Sequence, residues 1–406
     1  MILSESHNSQ PAGVAIVGKE ERFPSVRRAK NQTILLGACA CVLAGILVAG
    51  LWPFHAPRND VSWLSQANGL LFGRHGSIVS TGASEAAPSQ ADSACSLEIW
   101  LEPSLSRSSG TILAFYRPTR RVASFLLRQW RSGVVLQLDS DSHLVKKANT
   151  YVGDVFSPLK PVFLTISSGE AGTAIYVDGE LLKRSANFTF SSRDLTGQLV
   201  IGNAPSTADS WSGQIKGLAI YDRELQAIEV SQHFADWTKK QPDLAGNAGV
   251  VARYLFNEGK GNIVHNQVDS STDLLIPGRF FVLREQFLKR PWDEFRSDWS
   301  YLKDLGINIA GFIPLGFFVS AYFSAIRNIK RAIWLTIALG FAVSLTIEVL
   351  QAFLPTRDSG MTDLITNTFG TVLGALLHAL SVKQNWFTRA GVPSVLPFAK
   401  ERRVFS

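Results

Sequence analysis

Seven polar residues stand where the surrounding sequence is suited to lipid, and their types could carry chemistry. Asp304, Asn308, Glu348, Gln351, Arg357, Asp363 and Asn367 lie in or beside three apolar segments, 305–323, 333–354 and 364–382. An ionised carboxylate near mid-bilayer costs about 2.5–3.5 kcal/mol even on the gentlest scale, so such groups normally face a protein interior or a wet cavity. The pairs 304/308, 348/351 and 363/367 have the three- or four-residue spacing that puts both members on one helix face. Three polar faces can therefore meet, with Arg357 as a counter-charge in the adjoining loop. In a working site on a lipid-linked or amphiphilic substrate, Glu348, Asp363 and Arg357 would be the acting (catalytic) groups. Asn308, Gln351 and Asn367 would orient the substrate. A packing alternative uses the same residues: interhelical amides act as glue, Gly311, Gly370 and Gly374 permit close helix approach, and Asp363 caps its helix. His378, near the end of the last segment, reads as interfacial.

These side chains need helices to hold them. Each segment is long enough to cross about 30 Å of hydrocarbon, which takes about 20 residues. Thr33–Phe54 is a fourth span. Its run exceeds the ~7–15-residue apolar core of a signal peptide, so an uncleaved anchor is expected. Basic residues mark one side of the membrane: Lys19, Arg22, Arg27, Arg28 and Lys30, then Arg327, Lys330 and Arg331, then Lys383, Arg389, Lys400, Arg402 and Arg403. Both termini are accordingly expected in the cytoplasm, with 55–303 and 355–363 outside. At about 1.5 Å per residue, Glu348 would sit roughly 9 Å below Leu354, placing the polar cluster in the outer leaflet.

The 406 residues have room for two or three domains, and a 46% hydrophobic share implies that a large polar domain dilutes the helices. The net charge of +7 comes from basic residues beside the spans rather than from a basic stripe interleaved with aromatics, which argues against a nucleic-acid partner. Cys39 and Cys41 lie in an apolar span and Cys95 stands alone, so no disulfide framework or zinc spacing exists. Residues 1–32 form a polar, disordered cytoplasmic leader, and 383–406 a cytoplasmic tail.

Residues 58–282 read as all-β. Alternating runs occur at Cys95–Leu101, Thr111–Tyr116, Ser124–Gln129, Val134–Asp139, Val162–Ser167, Ala174–Val177, Gln198–Gly202 and Ile215–Tyr221, separated by turn residues as in a sandwich. Asp178-Gly179 is a type I′ hairpin signal, and a helix is expected at Leu225–Trp237. In the linker 284–303, Pro291 suits a first helical position and Trp292, Phe295, Trp299 and Leu302 recur at helical spacing. This is either an interfacial amphipathic helix or a linker helix packed on the sandwich.

Ser96-Leu97-Glu98-Ile99-Trp100-Leu101-Glu102-Pro103, Ile175-Tyr176-Val177-Asp178-Gly179 and Gly213 through Tyr221 resemble strands of laminin-G-like, concanavalin A-like jelly rolls. Tyr254-Leu255-Phe256-Asn257-Glu258-Gly259-Lys260-Gly261 resembles a segment usually found at the start of such domains; here it comes near the end, implying a replaced first strand or a shifted order. A second resemblance is to the VanZ-like membrane family. It rests on Leu51-Trp52-Pro53-Phe54, Asp304 through Asn308, Phe312-Ile313-Pro314-Leu315-Gly316, Ser344, Glu348, Gln351, Pro355-x-Arg357, Asp363, Asn367, Gly370 and Gly374. The family pattern is interrupted by the whole sandwich between the first two spans, and it implies a role in the bacterial envelope without a catalytic assignment. The expected fold is thus a multi-domain membrane protein: a four-helix transmembrane bundle (all-α) over 33–54 and 304–382, plus an extracytoplasmic all-β concanavalin A-like sandwich. The expected function is display of a glycan- or protein-binding sandwich from the bacterial inner membrane, with membrane lipid and an envelope glycan or extracytoplasmic protein as partners. The alternative is an embedded enzyme or transporter.

Three further features of the sandwich could bear on function. Glu98 and Glu102 share a strand face by period-two alternation, and paired carboxyls about 5–5.5 Å apart serve retaining glycoside hydrolysis. Trp130, Trp211 or Tyr151, if exposed, could stack on sugar rings. Asp139, Asp141 and Asp178 offer oxygen ligands for calcium, the one cofactor the sequence leaves open.

Overall fold

The computed structural model describes residues 23–84, 94–119, 122–138, 148–238, 248–284, 287–295 and 297–389. The chain divides into two compact units: Leu51–Lys289 with Glu348–Gly360, and the remainder.

The first unit is a sandwich of two antiparallel sheets. Its strands in chain order are β1 (Val61–Trp63), β2 (Leu70–Phe72), β3 (Ile78–Ser80), β4 (Cys95–Pro103), β5 (Ser108–Arg117), β6 (Val122–Arg131), β7 (Gly133–Leu138), β8 (Ala148–Val152), β9 (Val162–Gly169), β10 (Gly172–Val177), β11 (Glu180–Ser185), β12 (Gln198–Ile201), β13 (Gly213–Tyr221), β14 (Val250–Tyr254), β15 (Ile263–Val264) and β16 (Leu274–Leu275). One sheet runs β1-β2-β13-β4-β9-β10-β11 with β14 also on β13; the other runs β15-β16-β3-β12-β5-β6-β7-β8. Alternation sets the faces. On β6, Phe125, Leu127 and Gln129 are buried in the core, while Leu126, Arg128 and Trp130 point the other way. Among the largest buried rings are Phe72, Phe115, Phe125 and Trp211. The indole of Trp211 is a polar handle in that core, and its N–H donates to Gln129 Oε1 at 2.8 Å.

The first helix labels follow the chain: α1 (Phe23–Leu51) and α2 (Ala227–Thr238). Val230, Phe234 and Trp237 of α2 cover Phe163, Tyr176 and Tyr221 on the far face of the first sheet, forming a second small core. Gly217 leaves the room that the Trp237 ring occupies. The Asp178-Gly179 turn has φ of 52° and 85°, the double positive pair that a type I′ hairpin requires. The eight expected strands are all present, most of them a residue or more longer. The short strands β1–β3, β8 and β14–β16 were not expected; runs of two to five residues carry too little alternation to be read.

The displaced Tyr254 motif has a clear explanation. Strand β13 pairs with β4 along one edge, and its other edge is divided. Gly213–Ile215 pair with β2 and Leu218–Tyr221 pair with β14. Strands from opposite ends of the domain thus lie end to end on one neighbour. The ends themselves are stitched together: Phe280 N–H donates to Pro57 O at 3.0 Å, Asn59 N–H to Gly278 O at 3.3 Å, and Arg58 bridges Arg279.

The second unit is helical, with α3 (Pro291–Glu294), α4 (Trp299–Ser324), most of α5 (Ile329–Gln351) and α6 (Met361–Arg389) besides α1. Four stretches, Gln32–Leu51, Trp299–Ser324, Ile329–Gln351 and Met361–Gln384, are long and apolar enough to cross a membrane. Several bounds differ from expectation. Helix α1 starts at Phe23, so the end of the expected disordered leader is helical; 1–22 lie outside the described residues, as do 390–406 of the tail. No single amphipathic helix spans 284–303. The Asp298 side chain caps Tyr301 N–H at 2.8 Å and starts α4 there, leaving α3 as one turn. Helix α5 stops at Gln351, three residues before the expected Leu354.

Helices α4 and α6 approach at backbone distance. A Cβ at Gly370 would strike the Ile309 backbone, one at Gly374 the Ile313 backbone, and one at Gly316 the Thr371 backbone. Such small residues are the usual means of close packing between apolar helices. Gly311 is not one of them, contrary to expectation: a Cβ there would meet nothing within 4 Å.

Candidate functional site

The polar residues of the helical unit fall into three pairs. Asn308 Nδ2 on α4 donates to Asp363 Oδ1 on α6 at 2.7 Å. Asn367, one turn further along α6, donates through Nδ2 to Ser344 Oγ on α5 at 3.0 Å. Asn367 is 5% exposed and its Oδ1 has no hydrogen-bond partner, an unusual state for a buried amide oxygen. Asp304, one turn before Asn308, has an exposed side chain and joins neither pair. The third pair was not anticipated. His378 is buried among the helices, with Nδ1 3.1 Å from Ser320 Oγ and the Phe317 ring edge-on at 5.6 Å. Asp363, Asn367, Thr371 and His378 follow one another at intervals of four, four and seven. That one-face helical stripe was the signal for it.

Glu348, Gln351 and Arg357 belong to the other unit. The Glu348 carboxylate is 1% exposed and accepts Gly360 N–H at 2.8 Å, closing the 348–360 turn upon itself. Gln351 is also buried. The Arg357 guanidinium donates through Nε and Nη2 to the Trp52 carbonyl at 3.1 and 2.6 Å.

In the sandwich, the two carboxylates of β4 have separate fates. Glu98 is fully buried beneath α2 and accepts from Tyr221 Oη at 2.8 Å and Thr165 Oγ1 at 3.3 Å. His233 Nδ1 of α2 lies 3.1 Å from both carboxylate oxygens. Burial, and then the Glu98 charge, push the Tyr221 hydroxyl well above its ordinary pKa. Glu102 instead pairs with Lys216 at 3.1 Å. A carboxylate sealed under a helix cannot reach a glycosidic bond, so the hydrolytic pair is not formed.

Trp211 is 1% exposed and unavailable for stacking, whereas Trp130 is 49% and Tyr151 44% exposed. Register puts the two exposed rings on one face of the second sheet. Trp130 on β6 lies opposite Gly133 on β7, and Tyr151 on β8 lies opposite Val135. The Tyr151 ring leans over Gly133, where any Cβ would collide with it. Glycine is needed at that position because the Val152 carbonyl and the Tyr151 ring already fill the space a side chain would take. Asp178 is committed to its turn, accepting Phe163 N–H and Lys160 Nζ, both at 3.0 Å. Asp139 and Asp141 lie outside the described residues, and among the described residues no three His, Cys, Asp or Glu side chains cluster as for a metal.

The class is defined by these two parts: a concanavalin A-like antiparallel sandwich in one chain with apolar, membrane-length helices. Residues 76–231 match the family model described as the Concanavalin A-like lectin/glucanases superfamily. Residues 250–382 match that of VanZ/LLP1, a match that begins inside the sandwich at β14. No curated protein matches the chain. Solved structures similar to it include the receptor binding domain of botulinum neurotoxin C/D mosaic serotype (15% identity, TM-score 0.32, 44% of this chain and 45% of that one). Others are a Ruminococcus gnavus sialidase CBM40 bound to alpha2,3 sialyllactose (15%, 0.31, 41% and 95%) and a SAP-like pentraxin from Limulus polyphemus (14%, 0.32, 55% and 93%). The chain spans less than half the length of the toxin chain it matches.

Proposed function

We propose that this membrane protein presents a glycan-binding sandwich at the outer surface of the bacterial inner membrane. The observation that carries this reading is the Trp130–Tyr151 face. Two aromatic rings kept exposed on one sheet face suit stacking against the apolar faces of sugar rings, and a protein ligand could use the same face. The match of 76–231 to a lectin-containing superfamily supports the same conclusion. Basic residues on one side of all four spans support cytoplasmic termini and an extracytoplasmic sandwich. The test is a glycan array probed with the detergent-solubilised full chain beside the Trp130→Ala/Tyr151→Ala variant. Binding that the variant loses while its unfolding midpoint is unchanged is expected. No binding to any envelope glycan by the parent chain, or equal binding by both, sinks the idea.

A second reading rests on the unpartnered Asn367 Oδ1, an acceptor held ready inside an apolar helix for the polar group of an amphiphilic substrate. Here Asn308, Asp363 and Asn367 would form the site. An Asp363→Asn chain that reaches normal abundance yet fails to restore the deletion strain's phenotype favours it; loss of the protein instead points to packing.

A further inference from the structure

Near one end of the sandwich, the two sheets part around a cavity of about 420 Å³. Cys95 of β4, Ile220 of β13 and Ala252 of β14 line it from the first sheet, and Ser80 of β3, Phe115 of β5 and Leu199 of β12 from the second. Protein interiors pack at crystal density with few voids larger than a water. This space is not a sealed void but a cleft open to solvent: exposed Ala83, Val251, Asp269 and Ser271 line it together with buried Cys95, Phe115, Leu199 and Ile220, and its volume lies within the ~300–1,000 Å³ range of small-molecule sites.

The lining chemistry narrows what would enter. Hydroxyls of the wall are spent on the chain's own carbonyls: Ser80 on Gly82, Ser84 on Leu195 and Gly197, and Tyr254 on Thr272. The wall is divided: buried Phe115, Leu195, Leu199, Ile220 and Ala252 offer apolar carbon, exposed Asp269 and Ser271 offer polar groups, and the Cys95 thiol lies 3.8 Å from Phe190 O. The charged side chains among the described lining residues are both acidic, Asp222 and Asp269, and no lysine or arginine is among them. An anionic guest would thus have its charge repelled and unpaired. Burial, with the Asp194 charge second, raises the Cys95 pKa, in keeping with a negatively biased surrounding.

We infer that this cavity is a binding site for the apolar part of a small amphiphile whose polar end is uncharged or cationic. The site is separate from the Trp130–Tyr151 face, which belongs to residues that do not line it, and stands whether or not that face binds glycan.

The cavity carries its own reporter. A Cys39→Ser/Cys41→Ser chain keeps Cys95 as its sole thiol. Methanethiosulfonates deliver a chosen group to it: the thiolate attacks the sulfenyl sulfur, a mixed disulfide forms and methanesulfinate leaves. The full chain in detergent is treated with the butyl, trimethylammonioethyl and sulfonatoethyl reagents, and adducts are timed by mass spectrometry. The butyl and cationic reagents are expected to modify the folded chain faster than the anionic one, by on the order of tenfold or more, as a site of one sign concentrates its counter-charge. Filling the cavity with Leu199→Trp, or with the milder Ala252→Leu should the first fail to fold, is expected to abolish the butyl reaction. Cys95 that reacts only on unfolding, equal rates for both charges, or rates indifferent to filling would each overturn the proposal.

Discussion

Glu98 of the sandwich and Asn367 of the helical unit are both buried polar side chains, and their surroundings treat them in opposite ways. Around Glu98, every approach is taken. Tyr221, Thr165 and His233 converge on one carboxylate that has no contact with solvent. In the helices, Asn367 makes a single side-chain bond to Ser344 and keeps a buried oxygen unmatched. A fully satisfied polar network rigidifies and specifies one packing, here the docking of α2 on its sheet; a partly satisfied one retains capacity for another partner. The difference separates a closed polar contact from one with an acceptor left over.

Four substitutions and one control test that contrast. Glu98→Ala should have the largest effect, removing about 3–5 kcal/mol from the sandwich, because it deletes one side of a buried polar pair; denaturant titration of the purified chain measures it. A change under 1 kcal/mol would mean that α2 is held by its apolar face alone. Gly374→Leu comes next, at about 1–3 kcal/mol or more, since its side chain would enter the Ile313 backbone. Its control is Gly311→Leu, expected to keep parental abundance in membranes and parental thermal stability in detergent. Asn367→Ala should cost only about 0.6 kcal/mol, the typical value of an interhelical polar contact in membranes. A loss several times larger would place Asn367 with the structural pins and end its candidacy as an acceptor for substrate. Of the same small order is Glu102→Gln, at about 0.2–1 kcal/mol, since the Lys216 pair is partly solvated.

Long alternating strands, the Asp178-Gly179 turn, α2 and the three C-terminal helices were all readable from local pattern. So were the individual members of the Asn308–Asp363 pair, because polar residues in apolar helices stand out. Which of them meet was not readable. Side-chain pairing depends on helix rotation, which places Asn308 against Asp363 while leaving Asp304 exposed one turn away. Glu348 and Arg357, expected as acting groups by type, have among their partners the Gly360 amide and the Trp52 carbonyl, which sequence cannot nominate. Exposure of Trp130 against burial of Trp211 was equally hidden, since it turns on which sheet face each occupies.

The pairing of Pro57–Asn59 with Gly278–Phe280 has a bearing on how such a chain could arise. Arg58 and Arg279 are bridge partners, which sets their Cα atoms about 4.5–5.5 Å apart. More than two hundred residues therefore depart and return through a single doorway, and the strands from both extremities lock onto β13 just inside it. An ancestor could have gained this lobe as a cassette dropped into one short hairpin, with no need to respace the flanking segments.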